Sequence, residues 1–223
     1  MPFDVHELSK EKNLLGIWLA ARKLPSSVFN RCCVISAAVF SSLYVVFTGM
    51  ATSVLAQRTR ELAEMGFNFT IGILGFLIAG FTVFATITKV EMFQHMAVVP
   101  HKPSGLSTLK YNLFSFMRVF NDYLAFCFYC VAVKVIAAPG GPLAEAVDIL
   151  PGNITAKGWL ARIGFAVTVT MLVYVLVILK SFIFNVYAFV ITTVQWAFIA
   201  TPLNEEEYCQ LEHGGRQADD SHR

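Results

Sequence analysis

Few residues of this sequence could do chemistry inside an apolar environment, and three of them lie together. Arg118, Asn121 and Asp122 interrupt a long apolar stretch. Arg118 and Asp122 are four positions apart, so their side chains can pair on one face of a helix. An ionisable side chain at membrane depth is costly and is by default a candidate for function. Two interpretations stay open: a pair that holds helices in register, or a polar constriction in an ion path.

The cysteines and histidines do not form a pattern that is typical of metal or redox chemistry. Cys127 and Cys130 have C-x-x-C spacing, but they lie in an apolar stretch without a second pair or a nearby histidine. We therefore expect them to pack between helices. The five histidines include no pair with metal-ligand spacing in a helix. No metal and no cofactor is expected.

Motifs for catalysis are also missing from the sequence. It contains no phosphate-binding glycine loop, no dinucleotide-binding glycine pattern and no nucleophile elbow. The net charge is only +2 and there is no basic run, so nucleic acid is not expected as a direct partner. The prediction is a protein that is not an enzyme.

The composition places these residues in a membrane protein. The chain has 223 residues, of which 56% are hydrophobic, and its mean hydropathy is +0.61. Soluble domains contain only about 45–50% apolar residues. We predict an all-α fold, an integral membrane four-helix bundle with long cytosolic helix extensions and an N-terminal amphipathic helix.

Residues 66–90 are the stretch around which the rest is organised. They contain no charge before Lys89, and roughly 20 apolar residues suffice to cross the hydrocarbon core as a helix. Small residues recur there at spacings of three and four, which places them on one face. Such a stripe lets two helix backbones approach closely in lipid. The small-residue stripe consists of Gly72, Gly75, Ala79, Thr82 and Thr86.

Four membrane spans are predicted within residues 31–202, at about residues 32–56, 66–90, 114–138 and 160–182. Residues 57–65 are expected to be the short connection of a hairpin between the first two spans. The first span has its own stripe of small or polar residues, and we expect the two stripes to face each other. That second stripe comprises Ala37, Ser41, Tyr44, Thr48 and Ala51.

The two ends of the chain differ from the spans. Residues 1–30 place Val5, Leu8, Leu15, Trp18 and Leu19 on one helical face, which predicts an amphipathic helix. This helix either lies in the inner membrane interface or caps a cytosolic helical layer. Residues 203–223 are polar and acidic, which predicts a flexible tail.

The predicted helices are longer than the bilayer requires. A turn is expected at Pro100 and Pro103, and a loop is expected from Pro139 to Lys157. No Gly or Pro lies between Leu179 and Asn185, so residues 159–200 are predicted to form one helix. Its inner half would leave the membrane and need a protein surface to cover it. The predicted cytosolic interaction surface is Phe184, Tyr187, Phe189 and Trp196.

The distribution of Lys and Arg predicts the orientation. Eight of these residues lie in the N-terminal segment and in the connection between spans two and three, against four in the other two connections. The positive-inside rule then places both termini in the cytoplasm. The expected location is a bacterial inner membrane, which the chain crosses several times.

A resemblance rests on three features: the segment Gly75-Phe-Leu-Ile-Ala-Gly80, the cytosolic return through Pro100 and Pro103, and the cytoplasmic termini. Together they resemble small four-span bacterial inner-membrane proteins, some of which are membrane components of phage-defence systems, such as the membrane subunit of Kiwa. The resemblance implies a homo-oligomer whose cytosolic helices dock a soluble protein. It assigns no individual functional residue.

Three functions are compatible with these observations. The first is a homo-oligomeric membrane sensor or effector that docks a cytosolic protein, with pore formation in phage defence as one form of that activity. The second is an ion channel or small transporter that uses Arg118, Asn121 and Asp122. The third is a structural subunit of a membrane complex. The expected partners are lipid, a cytosolic protein and further copies of the chain, for which a tetramer is one candidate.

Overall fold

The computed structural model describes residues 13–22, 27–87, 90–100, 105–148 and 153–200. These residues are helical apart from their connections, and the only strand-like contact among them is a bridge between Pro100 and Ser107. The predicted all-α class is therefore confirmed for this part of the chain. Three predicted features lie outside it, namely the acidic tail of residues 203–223, the start of the N-terminal helix with Val5 and Leu8, and the turn at Pro103.

The helices differ widely in length. Four of them are long and apolar enough to cross a membrane, namely α2 (Val28–Phe47), α3 (Thr52–Ile87), α5 (Thr108–Ile136) and α7 (Asn153–Ala200). With 36 and 48 residues, α3 and α7 are about 54 and 72 Å long at a rise of 1.5 Å per residue, against a hydrocarbon core of ~30 Å. In chain order the helices are α1 (Leu14–Ala21), α2 (Val28–Phe47), α3 (Thr52–Ile87), α4 (Val90–Val98), α5 (Thr108–Ile136), α6 (Pro142–Asp148) and α7 (Asn153–Ala200).

The connection between the first two long helices comes earlier in the chain than predicted. Helix α2 ends at Phe47 and α3 begins at Thr52. Between them Gly49 has a φ of +58°, which is in the left-handed region that glycine adopts without strain. The predicted connection at residues 57–65 is wrong, because these residues form early turns of α3.

The charged residues at the start of α3 fix the end of α5. The Arg60 guanidinium donates a hydrogen bond to the carbonyl of Ala137 over 3.1 Å. The Lys134 ammonium lies 3.6 Å from the Glu64 carboxylate. These residues were expected to connect two spans, but Arg and Glu are good helix formers, and here Arg60 and Glu64 have partners at the end of α5.

Local features define where α5 begins and how the segment after it folds. Ser107 caps α5, since its hydroxyl accepts a hydrogen bond from the backbone N–H of Lys110 over 3.3 Å. The predicted loop from Pro139 to Lys157 is wrong in part, because it contains α6 and the first turn of α7. Pro142 is the first residue of α6, a position that suits proline because no helical hydrogen bond needs its missing N–H.

Helix α7 is continuous, as the missing helix breakers near Lys180 predicted. The chain nevertheless divides into two compact units, Met1–Phe182 and Ile183–Arg223. The first unit has a hydrophobic core to which α3, α5 and α7 all contribute. Its most deeply buried members are Ala63, Leu77, Tyr123, Cys130 and Val175.

One face of α3 supplies this helix's buried residues. At Gly66 the backbone approaches α5 so closely that an added Cβ would lie 2.9 Å from Cζ of Phe126. Thr59 on the same face lies against α7 instead, since its Cγ2 would be 3.9 Å from a Cβ built at Gly164. Among the residues of α3 whose burial is described, the buried ones are Leu55, Thr59, Ala63, Gly66, Thr70 and Leu77.

The small-residue stripe lies on the other side of α3. At 100° per residue it is centred about 180° around the helix from the buried face, and all five of its residues are exposed. No heavy atom lies within 4 Å of a Cβ built at Gly72 or Gly75. Among the described residues, Gly72 and Gly75 therefore face open space, although the spacing of the stripe predicted a packing face.

Helix α2 contacts α7 instead of facing the stripe of α3. The Ser41 hydroxyl donates to the carbonyl of Ala166 over 3.4 Å, and the rings of Tyr44 and Phe165 stack with centroids 5.9 Å apart. The expectation that the stripes of the first two spans face each other is wrong. Helical periodicity identified the polar face of α2, but the sequence does not state which helix that face meets.

Candidate functional site

Asp122 joins three helices. This residue of α5 is buried, and its Oδ1 accepts a hydrogen bond from the indole N–H of Trp18 on α1 over 3.0 Å. Its Oδ2 accepts one from the phenol of Tyr174 on α7 over 2.9 Å. Hydrogen bonds to an ionised acceptor are stronger than neutral ones, so this carboxylate ties α1 and α7 to α5. We call Trp18, Arg118, Asp122 and Tyr174 the Asp122 cluster.

Arg118 lies one helical turn before the carboxylate, as its spacing predicted. Its Nε is 4.0 Å from Oδ2 of Asp122, and its side chain is 24% exposed. This distance is too long for a hydrogen bond, so the guanidinium acts on Asp122 through charge. The direct donors to the carboxylate are the neutral groups of Trp18 and Tyr174.

Asn121, the third predicted site residue, does not share this hydrogen bonding. It is 7% exposed, and its Nδ2 has no hydrogen-bond partner among the described residues. Buried amide donors are nearly always paired. Asn121 is thus brought close to the Asp122 cluster along α5 without bonding to the carboxylate.

Helix α1 covers the side of α5 that carries these residues. Ala21 is fully buried and packs with Phe114 of α5. At the end of α1, the guanidinium carbon of Arg22 lies 4.4 Å from the centroid of the Trp18 ring, within the range of a cation–π contact. The surroundings of Asp122 therefore include Arg22 as well as Arg118.

Sequence reasoning missed three participants: Trp18 as a donor, Arg22 and Tyr174. Helical spacing placed Trp18 on the apolar face of the predicted N-terminal helix, for which an interfacial and a cytosolic position were both open, and Tyr174 falls within the apolar run of residues 159–200. The signal was present in both, because a buried tyrosine or tryptophan usually finds a hydrogen-bond acceptor. Asp122 is the only acidic residue of α1, α5 and α7.

The cysteines lie apart from this cluster. Cys130 is buried in the core, and its Sγ would lie 3.5 Å from a Cβ at Gly66. Cys127 is half-buried. No group of three His, Cys, Asp or Glu side chains that could hold a metal ion occurs in the described part of the chain.

The second unit carries the predicted interaction surface. Phe184 and Tyr187 are 67% and 63% exposed, whereas Phe189 and Trp196 are half-buried. Other exposed residues of this segment are also large and apolar, among them Ile183, Val190, Ile191 and Val194. We call the exposed apolar side chains from Ile183 to Val194 the distal surface of α7.

Comparisons with known proteins add no relative. No protein-family model matches the sequence, and neither the curated proteins nor the solved structures contain a match. The features of this chain that bear on function are therefore the Asp122 cluster, the stripe of α3 and the distal surface of α7.

Proposed function

We propose that this chain is a homo-oligomeric, multi-pass membrane protein that passes a signal between the bilayer and a cytosolic protein bound to the distal surface of α7. Both termini lie in the cytoplasm in this proposal, as the positive-inside rule indicates. An effector role in phage defence is supported by the sequence resemblance alone.

The exposed distal surface of α7 is the observation that carries the proposal. Phe184 and Tyr187 each expose more than half of their surface in a single chain. Large contiguous apolar patches on proteins usually mark sites that another molecule covers. With 48 residues, α7 is also more than twice as long as the ~30 Å hydrocarbon core requires.

Self-association is supported by the small-residue stripe of α3. Its residues are exposed on the side of the helix that faces away from the chain's own core. In lipid, such stripes favour close contact with another helix, and a second copy supplies an identical one. This is why the proposal specifies a homo-oligomer.

An ion path through the Asp122 cluster is less well supported. Both carboxylate oxygens already accept hydrogen bonds from Trp18 and Tyr174. A conducting carboxylate must exchange its partners with a passing ion. The arrangement is better suited to holding α1 and α7 against α5.

The location of the distal surface can be tested with cysteine labelling. Phe184→Cys and Tyr187→Cys are placed in a background without native cysteines, and membrane vesicles that have been stripped of bound soluble proteins are treated with an impermeant maleimide. We expect labelling in inverted vesicles and none in right-side-out vesicles. Phe128→Cys is the control, because this exposed residue of α5 should be covered by lipid and stay unlabelled in both.

Partner binding needs a separate measurement. The intact complex is purified in mild detergent and its mass is determined for Phe184→Arg combined with Tyr187→Arg. We expect the homo-oligomer to persist and a soluble protein present in the unmodified complex to be lost. Ile154→Arg, at the opposite end of α7, should keep that protein. Failure of both distal cysteines to label from the inner side would refute the docking role.

A further inference from the structure

The distal surface of α7 contains two rows of residues that run side by side along the helix. β-branched side chains recur at positions 183, 186, 190 and 193, and these alternating spacings of three and four place them along one edge of the helix. A second row follows one position later and contains the two aromatic residues that carry the docking proposal. We call Ile183, Val186, Val190 and Thr193 the β-branched row, and Phe184, Tyr187, Ile191 and Val194 the aromatic row.

The β-branched row is largely open in a single chain. Ile183, Val186 and Val190 are 56%, 40% and 50% exposed, and Thr193 is half-buried. Branching at Cβ restricts χ1 of such side chains, so little side-chain entropy is lost when another helix packs against them. The row is therefore a rigid apolar edge that a second helix can cover.

The spacing of this row is that of the contact positions in a coiled coil, where apolar residues recur every 3.5 residues on average. Ile183 and Val190 occupy the first contact position of the repeat. Val186 and Thr193 occupy the second. Isoleucine at both positions shifts parallel coiled coils from two strands towards three or four. The β-branched row has the same kind of side chain at both positions, which favours a bundle of several identical helices.

Charge also favours a copy of the same segment as the partner. Helix α7 has no charged residue between Lys180 and its end at Ala200. Identical helices that carried charges beside such a row would bring like charges together, whereas these helices meet without repulsion. In a closed ring whose copies cross a membrane in one orientation, all α7 helices are parallel. Each row then meets the same residues at the same height.

We propose that the β-branched rows of several copies pack around a common axis, so that a second copy of this chain covers this row. The aromatic row stays open to the cytosolic protein. This inference rests on the homo-oligomer of the proposed function, and it divides the distal surface between two contacts. From Ile183 to Thr193 the row is only about 15 Å long, but copies that are already joined through their membrane spans meet at a high effective concentration.

The contact is tested by disulfide formation between copies of the full-length protein in membranes. Val186→Cys and Val190→Cys are each placed in a background without native cysteines and oxidised with copper phenanthroline. We expect most of each variant to run as a disulfide-linked dimer on a non-reducing gel, because equivalent contact positions of parallel strands lie close enough for two thiols to join. Thr192→Cys is the matched control, since Thr192 is exposed on the opposite side of the helix, and it should stay monomeric.

A charge on the row should abolish this contact. In the Val186→Cys protein, Val190→Glu places one carboxylate from each copy at the axis, where burial and repulsion both oppose packing. We expect the yield of disulfide-linked dimer to fall about tenfold, which corresponds to the loss of one hydrophobic contact in each copy. Thr192→Glu in the same protein should leave the yield unchanged.

The mass of the intact complex in mild detergent separates this inference from the proposed function. If the protein is an oligomer and the two row variants form no more dimer than Thr192→Cys does, lipid or the soluble protein covers the row and the inference is wrong, while the homo-oligomer stands. A monomeric mass would contradict the homo-oligomer itself, and the contact between rows with it.

Discussion

Two glycines of α3, Gly66 and Gly72, lie in opposite surroundings. Gly66 lies against the Phe126 ring, and a Cβ there would be 2.9 Å from Cζ. Phe126 is itself buried and stacks with Tyr129 at a centroid distance of 6.2 Å, so its ring has little room to move. Gly72 has no neighbour within 4 Å of such a Cβ. The same residue type thus permits close packing at one position and leaves open surface at the other.

This difference predicts opposite results for two alanine substitutions. Gly66→Ala should lower the free energy of unfolding by about 1–3 kcal/mol, the usual effect of overpacking a core. Gly72→Ala should leave it unchanged or raise it slightly, since alanine favours helix. Thermal unfolding of both variants in detergent measures the difference. Equal stability of the two would contradict the close approach of α3 and α5 at Gly66.

At the scale of elements, α1 is a short helix that packs against α5. It contains eight residues, too few to be stable alone in water. Apolar contact between Ala21 and Phe114 and the hydrogen bond from Trp18 to Asp122 hold it. We therefore expect that substitution of either Trp18 or Asp122 weakens the attachment of α1 to α5.

A double-mutant cycle tests this attachment. Trp18→Phe removes the donor and Asp122→Asn removes the charge of the acceptor. We expect a coupling energy of about 0.5–2 kcal/mol in unfolding, in the range of hydrogen bonds between membrane helices and of contacting pairs. Trp159→Phe paired with Asp122→Asn should be additive, because Trp159 contacts Arg162 instead. Additivity in both cycles would show that the hydrogen bond does not attach α1.

At the scale of the whole molecule, α3 presents different residues on its two faces. One face joins the core with α5 and α7, and the other displays the small-residue stripe. A helix with two faces of small residues can pack within its own chain and against another copy at the same time. This arrangement is the structural basis for proposing assembly through α3.

Substitution of the stripe should therefore affect assembly and spare the fold. Gly75→Leu adds bulk where a Cβ meets no atom within 4 Å, so the single chain can accommodate it, while a second helix would be held away. We expect the mass in detergent to fall to that of a monomer. Gly16→Leu, at another glycine with open space, is the control. An unchanged oligomer mass for Gly75→Leu would exclude the stripe as the interface.

The sequence by itself determined which segments are long apolar helices and that α7 is unbroken. These properties depend on runs of apolar residues and on the placement of Gly and Pro, which act locally. It misplaced the first connection, because charge at residues 57–65 outweighed the glycine at position 49 whose φ of +58° ends α2. Periodicity also located the stripe of α3 correctly on one face.

Only the tertiary structure decided which face meets which neighbour. The stripe points away from the core, α2 contacts α7, and Asp122 bonds to residues 104 and 52 positions away. The spacing of residues along the chain shows which of them share a face of a helix. The partner of each face depends on how all the helices pack together, and no local spacing contains that information.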